Sequence, residues 1–387
     1  MSTDLLDKFP VDVCYMVADL KYSATQGVKI CEIQQASLSL FNGDAYRNPL
    51  EDSIHTELLS VLSTYNKNGW ILSDGMADKN LIDVLARSPS WKNPKDLIQL
   101  FSDVTFREKS KQSTKNSHDI SSYQGFLYTS WSQLSVITDF ETRIPGMVVM
   151  DKSSFPFWID KYLMTDLFTG DEMLSTLKPK WGNYKKAYTK NLASKIASDL
   201  QCDTFVIKPR GEFMGKGVII VTLPELDKVL HYIITKKGIL ADIEDAAYSA
   251  WQNDTFDSFI VEEFVTSDLI KLPHLENRSY QPTMRVAFLL TYNKYKHGVH
   301  FLGEYWKTPK VSVDDEGDFM EKNKDICEPP YYLAVSPETT HIVHDSLRTS
   351  LPLLHAKMMS YANSQPQFYE PESNKKVQLV LQEKQVR

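Results

Sequence analysis

The sequence predicts an α/β protein made of more than one α+β lobe, and three observations carry that expectation. Its 387 residues exceed what one small core organises, so more than one packed lobe follows. Short β-rich runs alternate with helical stretches through the first 150 residues. From Phe155 onward the texture changes to helix, strand, glycine turn and long apolar strands.

In the first lobe the β-rich runs are VCYMVADL, GVKICEIQ, GWILSD and GMVVM, with a helix around IHTELLSVLSTYNKNG, a pattern that predicts a parallel sheet. Between Arg107 and Ser122 the run REKSKQSTKNSHDISS has almost no apolar residue and reads as an exposed loop. In the second part, FWIDKYLMTDLFTG and the stretch from Asn183 to Leu200 read as helical. FVIKP, FIVEEFV, MRVAFLLTY and HGVHFLGEYWK read as strands, followed by a solvated acidic loop, VSVDDEGDFMEKNKD. A helix around SLRTSLPLLHAKMMSYA then leads to a last strand, KKVQLVLQEKQ.

Composition narrows the function classes. With 42% apolar residues, 24% charged residues and a net charge of −7, the chain offers no general surface for nucleic acid or for an anionic membrane. An acidic ligand would need local positive charge. Cys14, Cys31, Cys202 and Cys327 are scattered, with no CxxC pair and no histidines at metal-ligand spacing, so neither a disulfide framework nor a zinc site is expected. No run of eighteen uncharged apolar residues occurs and the amino end lacks a leader-like core. A soluble, unprocessed, cytoplasmic protein is therefore expected, with a non-classical export route left open.

The chemistry is concentrated in DTFVIKPRGEFMGKGVIIV. An apolar strand ends at Lys208, Pro209 stops the ladder, and Gly211, Gly215 and Gly217 permit a tight turn before the next strand. Backbone N–H groups freed by such a turn converge on phosphate oxygens, with Lys208 or Lys216 supplying charge; an ordinary hairpin with solvated lysines fits the same residues. A Walker loop does not fit: Gly211 and Gly215 enclose three residues instead of four and Gly217 follows Lys216. A protein kinase has the reverse order of loop and lysine. Arg285, inside the apolar run MRVAFLL, is costly there unless paired, so it marks a site or a structural ion pair. Lys307 in GEYWKTP reads as a surface lysine.

Taken in order, DKYLMT, FVIKP, GEFMGKGV, VEEFV, MRVAF, FYE and LVLQEKQ resemble the motif series of the ATP-grasp superfamily, over about residues 155 to 387. That resemblance implies an ATP-grasp fold in residues 151–387, with a lid subdomain at about 185–265 and a metal-binding lobe at about 266–387. Residues 1–150 would form an α/β substrate-binding domain before it. It places Lys161 and Lys208 on the nucleotide phosphates, Gly211, Gly215, Lys216 and Gly217 in the lid, and Glu262, Glu263, Phe264 and Val265 at the adenine hinge. Arg285, with Lys208, would act on the transferring phosphoryl group. Glu370, Glu383 and Gln385 would hold magnesium, although the usual aspartate and asparagine are here glutamate and glutamine. The implied activity is an ATP- and Mg2+-dependent carboxylate-amine ligase whose substrates are ATP, an acid and an amine on a small molecule or a protein side chain. A phosphotransferase of the same fold and a non-catalytic nucleotide-binding protein are the alternatives.

Overall fold

The computed structural model describes residues 9–36, 41–47, 53–72, 79–92, 124–129, 146–158, 160–212, 215–237, 246–252, 254–326 and 328–365. Strands β1 (Asp12–Ser23) and β2 (Gly27–Gln35) form an antiparallel hairpin. Helix α1 (Ile54–Tyr65) is capped by Ser53, whose hydroxyl accepts the Thr56 N–H at 3.2 Å. It buries Ile54, Leu58 and Leu62, spaced four apart on one face. Strand β3 (Gly69–Leu72), helix α2 (Lys79–Arg87), β4 (Trp91–Lys92), β5 (Gly125–Thr129) and β6 (Met147–Val149) follow, the four strands making a parallel sheet ordered β4-β3-β5-β6.

Helix α3 (Lys161–Asp166) begins at Asp160, whose carboxylate accepts the Tyr162 N–H at 2.9 Å. Then come β7 (Trp181–Lys185), α4 (Leu192–Leu200), β8 (Thr204–Pro209), β9 (Ile219–Thr222), α5 (Leu223–Thr235) and β10 (Ser258–Glu263). Their strands form an antiparallel sheet, β7-β10-β8-β9, with a core of its own in which Ile196, Leu200, Leu226 and Leu230 from the helices meet Phe205, Ile207, Phe259 and Val261. A short pair, β11 (Ile270–Leu272) and β12 (Arg278–Tyr280), precedes β13 (Thr283–Tyr292), β14 (His297–Lys307) and β15 (Tyr332–Ala334). The long helix α6 (Pro337–Ser364), capped by Ser336, completes the described chain.

The architecture is α+β. Its central five-stranded sheet, ordered β15-β14-β13-β1-β2, is antiparallel throughout. β1 lies inside it and is covered on both faces. Cys14, Met16, Ala18 and Leu20 face the core packed by Val343, Leu347 and Leu351 of α6, while Val13, Tyr15 and Val17 face the core shared with the parallel sheet. Burial on both faces explains why VCYMVADL is apolar almost without alternation.

Two sequence expectations change here. VCYMVADL and GVKICEIQ do not join the parallel sheet with GWILSD and GMVVM; they pair with β13 through the register Val17↔Ala287, so a sheet strand order links the first lobe to residues near 290. The stretch from Asn183 to Leu200 is not one helix: Trp181–Lys185 pairs with β10, and α4 starts only at Leu192, where the apolar spacing of Leu192, Ile196 and Leu200 begins. The run from Arg107 to Ser122 lies outside the described residues.

Candidate functional site

The glycine segment folds as the hairpin β8–β9, in register Phe205↔Val221. Gly215 and Gly217 adopt φ of 70° and 73°, the left-handed region that a side chain disfavours. At Gly217 the close approach of the Pro209 ring, 2.7 Å from where a Cβ would stand, adds a second demand for glycine. Gly211 is held by the Phe256 ring, and the Arg210 guanidinium stacks over the Tyr162 and Phe256 rings while pairing with Asp160. Lys216 is exposed at the turn.

Lys208, at the end of β8, points inward. Its ammonium donates to Glu262 Oε2 at 2.6 Å and to the Cys31 carbonyl at 2.9 Å. Lys178 meets the other Glu262 oxygen at 2.8 Å, and Lys161 of α3 pairs with Glu32 of β2. These groups and the apolar side chains of Ile30, Met164, Phe168 and Ile260 line a cavity of about 40 Å³. That space suits water and not a nucleotide.

A second charged group lies alongside, set by sheet register. Glu32 of β2 stands opposite Asp19 of β1, and Asp19 opposite Arg285 of β13, so three charges form one row across the sheet. Arg285 forks onto Asp19 with two contacts of 2.8 Å. Lys307 reaches the same carboxylate at 2.8 Å and Asp325 at 2.6 Å, while Lys21 donates to the Pro282 carbonyl at 2.9 Å. Lys307 is therefore not a surface lysine but 2% exposed: it stands opposite Thr283, two residues along β13 from Arg285, and reaches Asp19 beside the charged row. The acidic loop is likewise not wholly solvated, since its Asp325 closes this group.

The electrostatics follow from burial and pairing. Burial alone would raise the Asp19 carboxyl, but the Arg285 guanidinium and the Lys307 ammonium hold it well below the ordinary carboxylate value. Glu262 is shifted the same way: burial raises it, and Lys178 and Lys208 outweigh that. Burial pushes Lys178 below its ordinary value despite Glu262, whereas for Lys208 the Glu262 charge wins over burial. Across both groups Lys21, Lys161, Lys178, Lys208, Arg285 and Lys307 face Asp19, Glu32, Glu262 and Asp325, six cations against four anions. The local positive charge that an acidic ligand needs is thus present in an acidic protein.

No family model matches the chain, and no curated protein matches it. Among solved structures, the protein named "Putative gamma-glutamylcysteine synthetase" from Methylobacillus flagellatus KT is similar at 9% identity and a TM-score of 0.45, over 93% of this chain and 92% of that one. The D-alanine-D-alanine ligase from Coxiella burnetii is similar at 10% identity and a TM-score of 0.29, over 83% of this chain and 99% of that one. The case for function rests on the site residues themselves.

Of the residues singled out from sequence, Lys161, Lys208 and Glu262 meet in one cavity, and Arg285 lies one strand away from it. Glu262 is taken up by the two lysines. Glu263 accepts the Lys180 N–H with its side chain at 2.8 Å, and its own N–H goes to the Lys180 carbonyl. The Phe264 N–H donates to Thr204 and its ring packs edge-on against Phe319; Val265 is buried. Glu370, Glu383 and Gln385 lie outside the described residues. Lys178, Glu32, Asp19, Lys21 and Asp325 belong to the site and were not singled out. Asp19 and Lys21 carried a signal: two charges spaced two apart on one face of an apolar strand face the same desolvation cost as Arg285. No helix among the described residues is long and apolar enough to cross a membrane.

A pH prediction follows. Both Asp19 and Glu262 have folded pKa values below their unfolded ones, so the stability they add is fully present above about pH 4 to 5 and is lost as pH falls through the lowered folded values. Chemical denaturation from pH 7 to pH 3 is expected to show a plateau and then a decline, with a shallower decline in Glu262→Gln. Parallel declines in the two proteins would contradict the pairing.

Proposed function

We propose that the chain is an ATP-dependent ligase of the ATP-grasp type that joins a carboxylate to an amine, with magnesium as the metal cofactor. The observation that carries this reading is the convergence of lysines from α3, β8 and the loop before β7 on one buried cavity, with an arginine and a lysine of the central sheet in a second charged group alongside it. Polyphosphate is the ligand chemistry that this many inward-facing cations suit. The donor set fits the nucleotide: Lys161, Lys178 and Lys208 would hold its phosphates, giving up Glu32 and Glu262 to do so. Magnesium supplies neutralisation of phosphate charge when bound. The ligands that the resemblance implies for it, Glu370, Glu383 and Gln385, remain part of the proposal.

In this reading the chain's residues work by position and charge. Arg285 steadies the oxygens of the phosphoryl group moving to the substrate carboxylate, with Asp19 fixing the guanidinium plane. The β8–β9 turn, with Gly211, Gly215 and Gly217, would cover the cavity and keep water from the activated carboxyl until the amine attacks. No side-chain nucleophile is required. Mass spectrometry of a cell extract incubated with ATP, magnesium and protein tests the reading. Conjugates of one acid and one amine, with ADP and phosphate formed in equal amounts, should arise with wild type and be absent with Lys208→Ala. A phosphorylated product with no free phosphate would favour a phosphotransferase instead, and no product in either case would remove the ligase reading.

A further inference from the structure

At the opposite end of β1 from the charged row, a second polar cluster is buried that the nucleotide reading does not use. Asp12 and Cys14 alternate onto the same face of β1, and His355 of α6 comes down on them. Asp12 Oδ1 lies 2.8 Å from His355 Nε2 and 3.5 Å from Cys14 Sγ, and the three ligand atoms all fall within 4.8 Å of one another. Cys14 and His355 are fully buried and Asp12 nearly so. Cys14 and Asp19 are five residues apart on the strand, about 16 Å at the rise of a β-strand, so this place is separate from the cleft.

We propose that Asp12, Cys14 and His355 form a zinc site. A thiolate, an imidazole nitrogen and a carboxylate oxygen are the ligand types zinc takes, and tetrahedral zinc with bonds of about 2.0–2.3 Å needs its ligand atoms only a few ångströms apart. The observed separations already approach that. Charge favours it as well: the dication with one thiolate and one carboxylate sums to zero, an arrangement a buried site tolerates.

The surroundings are those of a metal ligand shell. The second ring nitrogen of His355, Nδ1, faces His297 Nδ1 at 3.2 Å, which supplies the outer hydrogen bond that ligating histidines use to fix their tautomer. Ser153 Oγ donates to Asp12 Oδ1 at 2.7 Å and lies 3.1 Å from Cys14 Sγ, bracing both ligands. Binding balances simply. The Cys14 thiol loses its proton to solvent as the zinc–sulfur bond forms. The His355 proton shifts from Nε2 to Nδ1, where it is donated to His297, and the His297 proton shifts to its own Nε2. His297 is only partly buried and stacks on Tyr292. One position on the metal is left for water.

The test uses the full chain, stripped with a chelator and then offered Zn2+ alone, with metal measured after gel filtration. Wild type and a Cys202→Ser control should each hold one equivalent; Cys14→Ser and His355→Gln should bind at least tenfold more weakly, and His297→Ala about 10- to 100-fold more weakly. Circular dichroism checks that the variants fold. Because a ligand variant can misfold, Co2+ is also bound to wild type, where a thiolate-to-cobalt charge-transfer band is required. Absence of that band, no zinc in wild type, or undiminished zinc in both ligand variants would overturn the proposal. None of these readouts involves ATP, so the result stands apart from the ligase reading.

Discussion

Arg285→Ala is expected to fold and to lose ATP-dependent turnover by about 10²- to 10³-fold in kcat, the usual consequence of removing one preorganised charge from a transferring group. It should fold because Asp19 keeps Lys307 as a partner at 2.8 Å, so no carboxylate is left buried without a cation. Arg285→Lys is a sharper version of the experiment. A lysine retains the charge but cannot fork onto both Asp19 oxygens, as the guanidinium does through Nε and Nη2. Turnover should stay low in this variant while thermal stability stays near wild type. If Arg285→Ala turns over at the wild-type rate, the arginine is a structural ion pair only.

Glu262→Ala has the largest expected effect on stability. Its carboxylate, 2% exposed, is shared by Lys178 and Lys208, so truncation leaves two cations facing each other with their paired counter-charge gone and only Glu32 acting on Lys208. Breaking a buried pair by removing one partner costs about 3–5 kcal/mol, against a total stability of about 5–15 kcal/mol for proteins generally. The lysines can relieve this by shedding a proton, which makes the penalty larger at lower pH. Glu262→Gln keeps an acceptor for one lysine and should lose less. Urea unfolding at two pH values measures both, and a loss below about 1 kcal/mol in Glu262→Ala would mean that the three groups do not form the unit described.

How much of this was legible in the sequence depends on whether a signal was local. The hairpin around Gly211, Gly215 and Gly217 was, because φ and strand alternation are local properties. So was the oddity of Arg285, since a charge in an apolar strand demands a partner wherever that partner is. The partner itself, Asp19, stands 266 residues earlier, and only the β1–β13 register brings the two together. Applying the same desolvation argument to VADLKY would have flagged Asp19 and Lys21. Lys307 misled because the sequence around it, GEYWKTP, alternates like a solvated strand end, whereas β14 lies between β13 and β15 and turns that lysine inward. Lys178 sits in an irregular stretch and gave no signal at all.

Long-range pairing also explains the misread sheet membership of β1 and β2. A short continuous apolar run marks VCYMVADL as a strand but not which sheet it joins, and the parallel reading favoured its neighbours in sequence. The cluster at Asp12, Cys14 and His355 is the extreme case: spacing rules for metal ligands act within a few residues, and here His355 comes from a helix 343 positions after Asp12.

The most direct measurement is equilibrium binding of ATP with magnesium to the full chain, by calorimetry, for wild type, Lys161→Ala, Lys208→Ala and Arg285→Ala. A nucleotide cleft built on these cations predicts saturable binding by wild type and at least a tenfold loss in Lys161→Ala and Lys208→Ala, with a smaller loss in Arg285→Ala. Wild type that binds no ATP, or lysine variants that bind it as tightly as wild type does, would contradict the account.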